Sequence, residues 1–130
     1  MSAFVHRVKP VWRDMDALRH VNNAVYLTYL ENAREAWWKD VAGAYDIFPF
    51  TLARVEIDYR SSATWRDEID VRVSVAKIGN TSFELAYVLA AGKRVVAEAR
   101  TVLVMMDDRQ EKPVRIADEA RQKMKRYEAR

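Results

Sequence analysis

The chain has 130 residues and a formal net charge of +3, and half of its residues are hydrophobic. That suits a single domain, residues 1–130, with a substantial core. It contains no cysteine, which excludes disulfides, thiolate nucleophiles and Cys-ligated metals, and its two separated histidines, His6 and His20, argue against a His-based metal site.

Residues 4–12 read as a first strand, at an edge or broken off by Pro10. The polar loop 13–22 follows, holding Asp14, Asp16, His20 and Asn22, with Asn23 beside it. Residues 23–42 read as a helix of about 30 Å, because Tyr26, Leu30, Ala33, Trp37 and Val41 recur at helical spacing. Ala24, Leu27, Ala36 and Trp38 add apolar residues on its other sides, so much of it should be buried. Asn22 is the expected N-cap and Gly43 the expected stop.

From 51 to 105 the pattern changes to period two. Val55, Ile57 and Tyr59 form one set, Ile69, Val71, Val73 and Val75 the next, and Phe83, Leu85, Tyr87 and Leu89 a third. Such alternation predicts a one-faced antiparallel sheet. Gly79-Asn80 suits a tight hairpin, and Gly92-Lys93 leads into a last strand, Val95 to Met105. Asp107 to Pro113 is a polar turn, and residues 117–128 form a short helix with Ala120, Met124 and Tyr127 on one face. The resulting class is α+β, an antiparallel sheet wrapped around one long central helix. Open sheet edges call for a second copy of the chain.

The positive excess lies in residues 115–130, with six basic residues including Arg130. It is read as the solvated face of a terminal helix, with no nucleic-acid partner. No apolar run is long enough for a membrane span, and Met1 to Pro10 does not resemble a signal peptide. A cytoplasmic location is the expectation.

Asp16 is an acid/base candidate because a helix start follows it, and free N–H groups there bind developing negative charge. By itself it could equally be a turn residue that orders the loop. Asp14 is the rival carboxylate, read as structural and aimed the opposite way. His20 either orients the loop or touches the reacting group.

The series Asp16-x-x-x-His20-Val21-Asn22-Asn23-x-x-Tyr26, with Glu31 and Arg34 following, resembles the hot-dog-fold acyl-CoA thioesterases of the 4-hydroxybenzoyl-CoA thioesterase type. Asp58-Tyr59-Arg60 and Gly79-Asn80-Thr81-Ser82-Phe83 match that pattern in order, over roughly residues 4–114. The resemblance implies a hot-dog subunit that hydrolyses an acyl-CoA, as a homodimer or homotetramer, with no cofactor and no metal. It makes Asp16 the nucleophile or general base, with His20 beside it, and the backbone N–H of Asn23 the group that polarises the thioester carbonyl. Tyr26, Glu31, Arg60, Ser61, Thr81 and Ser82 become the expected substrate contacts. Glu31 would act across a subunit boundary, or else pair with Arg34 or share a solvated patch with Glu35. Trp37, Trp38 and Tyr29 line an acyl pocket or belong to the core.

Two departures stand out. Many relatives carry glycine where this chain has Arg19, so its loop is expected to differ in shape or gating. Acyl-carrier-protein thioesterases of similar motif place asparagine where Leu18 stands, so that version of the site is not carried over. Two alternatives remain open, a hot-dog hydratase or dehydratase and a non-catalytic acyl-thioester binding module.

Overall fold

The computed structural model describes residues 3–43 and 48–129. Arg130 of the basic tail and Met1 and Ser2 of the N-terminal segment lie outside the described residues. Five strands form one antiparallel sheet in the order β1-β3-β4-β5-β2. They are β1 (Phe4–Val8), β2 (Phe50–Tyr59), β3 (Ile69–Ile78), β4 (Ser82–Ala91) and β5 (Arg94–Met105). The helix α1 (Val25–Ala42) lies on one face, and α2 (Asp118–Met124) continues into a 3-10 turn, Lys125–Tyr127.

Alternation makes the sheet one-faced. Val71, Val73 and Val75 of β3 and Phe83, Leu85, Tyr87 and Leu89 of β4 are all buried toward α1. The register shifts at Leu52/Arg54, at Val75/Lys77 and at Leu89/Ala90. Each bulge adds local twist, which curls the sheet about the helix. The edges are β1, as expected from Pro10, and β2.

Three expectations need correction. The helix is buried on one face only: Tyr26, Leu30, Ala33 and Trp37 are inside, while Ala24, Leu27, Glu31 and Asn32 are exposed. Apolar residues off the main stripe do not by themselves cover a helix. The N-cap is Ala24, already helical in its backbone, and Asn22 acts just before it by accepting from the Ala24 N–H at 2.9 Å. The hairpin after β3 spans Gly79 to Thr81 rather than two residues. By contrast, Gly43 ends α1 at φ 85°, as expected, donating to the Lys39 carbonyl.

Met124 and Tyr127 pack into the core. Arg115 pairs with Asp118 and Lys123 with Glu119, so part of the tail's charge is neutralised within its own helix. Among the described residues no helix is long and apolar enough to cross a membrane.

The Tyr127 hydroxyl donates to the Asp40 carboxylate. Burial, and then that carboxylate, push the Tyr127 phenol from 10.0 up to about 12. A folded pKa above the unfolded one gives stability that is complete below the unfolded pKa and lost as pH rises through the folded one. The melting temperature is therefore expected to fall between about pH 10 and 12. Thermal melts across that range should show a shallower fall for Tyr127→Phe, and parallel curves would refute this.

Candidate active site

The Asp16 loop is a small hairpin closed on itself. Met15 bridges Val21 in antiparallel fashion, the Asp16 N–H donates to the His20 carbonyl at 2.9 Å, and the Arg19 N–H donates to the Asp16 carbonyl at 2.9 Å. A turn of this kind ends in a left-handed residue. Arg19 fills that place at φ 64°. The loop thus takes at Arg19 a conformation that favours glycine, and the arginine there bears side-chain strain. Arg19→Gly should relieve that strain and raise stability by up to ~1 kcal/mol, the glycine's extra unfolded-state entropy offsetting part of the gain. Thermal melts check this against Arg19→Ala, which keeps a Cβ and should gain nothing.

The hairpin sets Asp16 and His20 opposite each other. One oxygen of Asp16, Oδ1, accepts from the Leu18 N–H at 2.9 Å. The whole loop is stitched to the β2–β3 connection by the Val21 N–H, which donates to the Ala63 carbonyl at 2.8 Å. Asp14 is held apart, but not because an extended segment aims it the opposite way, since residues two apart on a strand share a face. It lies in a 3-10 turn, Trp12–Asp14, and its Oδ2 accepts from Tyr29 Oη at 2.7 Å and from the Val11 N–H at 3.0 Å. Burial, and then Asp14 as acceptor, push the Tyr29 phenol far up, so it stays a donor.

Asn22 shapes the helix start. Its carbonyl accepts from the Val25 N–H and its side chain from the Ala24 N–H, both at 2.9 Å. Among the described residues the N–H of Asn23 has no acceptor. Its carbonyl accepts from Tyr59 Oη at 2.8 Å.

A cleft of about 390 Å³ opens here, and it brings together Asp16, His20, Asn23, Tyr26, Arg60 and Ser61. Tyr26 is buried and stacks edge-on against Tyr29 and Tyr59 at 5.8 and 5.4 Å. Burial, and then Tyr59, push its phenol up, so it faces the cleft neutral. Ser61 donates to the Val95 carbonyl at 2.8 Å, and Arg60 pairs with Glu98 at 2.9 Å.

Three expected contacts are elsewhere in this chain. Glu31 lines a separate pocket of about 260 Å³ with Arg34 and Phe50. It does not pair with Arg34, whose Nη1 instead donates to Tyr87 Oη at 3.3 Å. Thr81 and Ser82 sit at the other end of β4, beside Met105 and Val104. Trp37 and Trp38 are core, and Tyr29 anchors Asp14. Tyr59 is the residue that sequence reasoning missed. Its place at the inward-facing end of the β2 alternation was the available signal.

A family profile described as the thioesterase-like superfamily matches residues 10–124. The long-chain acyl-CoA thioesterase FadM of Escherichia coli (strain K12) is 28% identical over 120 residues, covering 85% of this chain and 88% of that protein. Among solved structures, a thioesterase from Thermus thermophilus, complexed with coenzyme A and Zn, superposes with a TM-score of 0.88. It is 30% identical, with 97% of this chain and 94% of that one covered. A thioesterase-superfamily protein from Jannaschia sp. has a TM-score of 0.92 at 20% identity, covering 99% and 95%, and shares the fold.

Proposed function

The chain belongs to the thioesterase-like superfamily and is a hot-dog thioester hydrolase, and from that premise we propose that it cleaves acyl-CoA thioesters in the cleft at Asp16. The observation that carries this reading is the pairing of Asp16 with the unpartnered Asn23 N–H across one cleft.

The thioester carbonyl oxygen accepts from the Asn23 N–H at the start of α1, where the helix dipole favours the charge that develops on it. Asp16 has one oxygen committed to the Leu18 N–H. The other serves as base, taking a proton from water while the oxygen of that water bonds to the carbonyl carbon. Acting as nucleophile, the same oxygen would form the bond to carbon itself, and water would then cleave the acyl-enzyme anhydride. In either route the carbon–sulfur bond breaks and the coenzyme thiolate takes up a proton. His20 flanks Asp16, and Tyr26, Arg60 and Ser61 line the substrate's path.

Glu31, Thr81 and Ser82 fit this reading only as contributions from a second copy to its neighbour's cleft. The two open sheet edges and the exposed side of α1 support such an assembly, dimer or tetramer. Sedimentation at micromolar concentration is expected to give at least a dimer. A stable, active monomer of 15.2 kDa would refute it.

Thiol release across short, long and aromatic acyl-CoAs tests the activity. Turnover of a saturated acyl-CoA supports hydrolysis, because a hydratase has no double bond to act on. Tight binding of a non-hydrolysable analogue, without thiol release from any ester, would instead make the chain a binding module.

A further inference from the structure

On the β1 side of the Asp16 hairpin lies a surface that the hydrolysis itself does not use. Trp12 is 71% exposed and Trp65 is 42% exposed, with ring centroids 6.3 Å apart in an edge-on arrangement. Large aromatic side chains left in water beside a cleft mark a place where something binds. The Arg66 guanidinium lies 5.1 Å from the Trp65 ring centroid. Among the described residues neither Arg13 nor Arg66 has an acidic partner. An unneutralised guanidinium thus lies on Trp65, and a second, Arg13, follows Trp12 in the chain.

The platform is fixed to the cleft. Lys9 Nζ donates to the Trp65 carbonyl at 2.8 Å and the Asp67 carbonyl at 3.2 Å, which ties the segment before Trp12 to the Trp65 loop. Arg94 holds the same loop from the other side, donating to the Ser62 carbonyl and to Asp67. Trp65 is three residues beyond Ser62, a lining residue of the cleft, and so at most about 11 Å from it along the chain. Trp12 is four residues before Asp16, at most about 14 Å away.

Resting on the acyl-CoA reading above, we propose that Trp12 and Trp65, with Arg13 and Arg66, bind the nucleotide end of coenzyme A. The adenine stacks on the open face of Trp12, and the phosphates meet the two guanidinium groups. A purine offers a flat π face to an indole, and guanidinium groups match phosphate oxygens in pairs. The platform selects the coenzyme over a carrier protein, whose pantetheine arm carries no adenine.

Two measurements test this. Adenosine 3′,5′-bisphosphate alone, titrated into the intact protein, should quench tryptophan fluorescence saturably, and Trp12→Ala should abolish the effect. The preference for acyl-CoA over the acyl-pantetheine of the same acyl group, as a ratio of KM values, should fall about tenfold in Trp12→Ala and persist in Trp12→Phe. An absent quench, an unchanged ratio, or a change in sedimentation on substitution overturns the proposal, the last because the rings would then be covered by a second copy. Loss of binding to anionic vesicles without loss of the nucleotide quench also overturns it, in favour of a lipid surface. Should neither ester be hydrolysed by the parent protein, the activity reading fails, while the nucleotide titration still decides this site.

Discussion

Replacing Asp16 with asparagine is expected to lower kcat by about 100-fold or more, with little change in KM. The substitution is clean. Asparagine still offers an Oδ1 to the Leu18 N–H, so the turn it closes survives. The variant loses only the charge and basicity of the other oxygen. Contacts along the rest of the cleft, at Tyr26, Arg60 and Ser61, remain to hold the substrate. Asp14→Asn is the control. Its carboxylate is engaged by Tyr29 and Val11 through a single oxygen, and an amide oxygen can accept both bonds. Turnover near the parent's is expected there, with at most a small drop in melting temperature. Steady-state kinetics on the best acyl-CoA, with melts alongside, decide the matter. Near-normal turnover in Asp16→Asn with an inactive, folded Asp14→Asn would move the chemistry to Asp14.

The largest stability effect is expected at Trp37. Its side chain is fully buried and packs against Trp38, Phe83 and Tyr127 at 6.0, 5.8 and 6.1 Å between ring centroids. Trp37→Ala should cost about 3–5 kcal/mol, through lost apolar burial and the cavity left between helix and sheet. That is a large share of the roughly 5–15 kcal/mol typical of a small domain. Trp37→Phe should cost much less, below about 1.5 kcal/mol. Among the described residues the buried indole Nε1 has no hydrogen-bond acceptor, so the smaller ring removes an unsatisfied donor along with some volume. Urea titrations read both as shifts in midpoint at constant slope. A cost for Trp37→Phe well above about 1.5 kcal/mol would mean that the indole N–H is satisfied in solution.

The strands were legible because one-faced alternation has a single physical cause, burial on one side of a pleated sheet. Val71, Val73 and Val75 illustrate it without exception. The helix was legible in extent but not in burial. Leu27 is apolar and exposed, and one sequence does not distinguish a face meant for its own core from a face meant for another copy. The Asp16 hairpin could be located from its motif, yet not drawn, because the residue that closes it is an arginine where a turn of this kind favours glycine. Thr81 and Ser82 lie away from this chain's own cleft for a different reason. Sequence order places Ser82 at the start of β4 but does not say which end of the sheet lies at the cleft, and the length of β4 sets Ser82 about 30 Å from Ala91. Tyr59 was overlooked as a site residue because the Val55, Ile57, Tyr59 alternation marks a face of the sheet and not a hydrogen bond to the Asn23 carbonyl.

The three residues Ala17, Leu18 and Arg19 are all exposed, Leu18 by 75%, while the hairpin that carries them is closed by hydrogen bonds to the backbone. Their number sets the register, and of their side chains only that of Arg19, at φ 64°, bears on the turn itself. One residue added or removed there would slide Asp16 out of step with His20. Substitution of Leu18, by contrast, changes only what stands at the mouth of the cleft. A library confined to Leu18 at fixed length would therefore vary the lining of the cleft, while Asp16 and His20 stay in register. Insertions in the same place should yield folded, silent proteins.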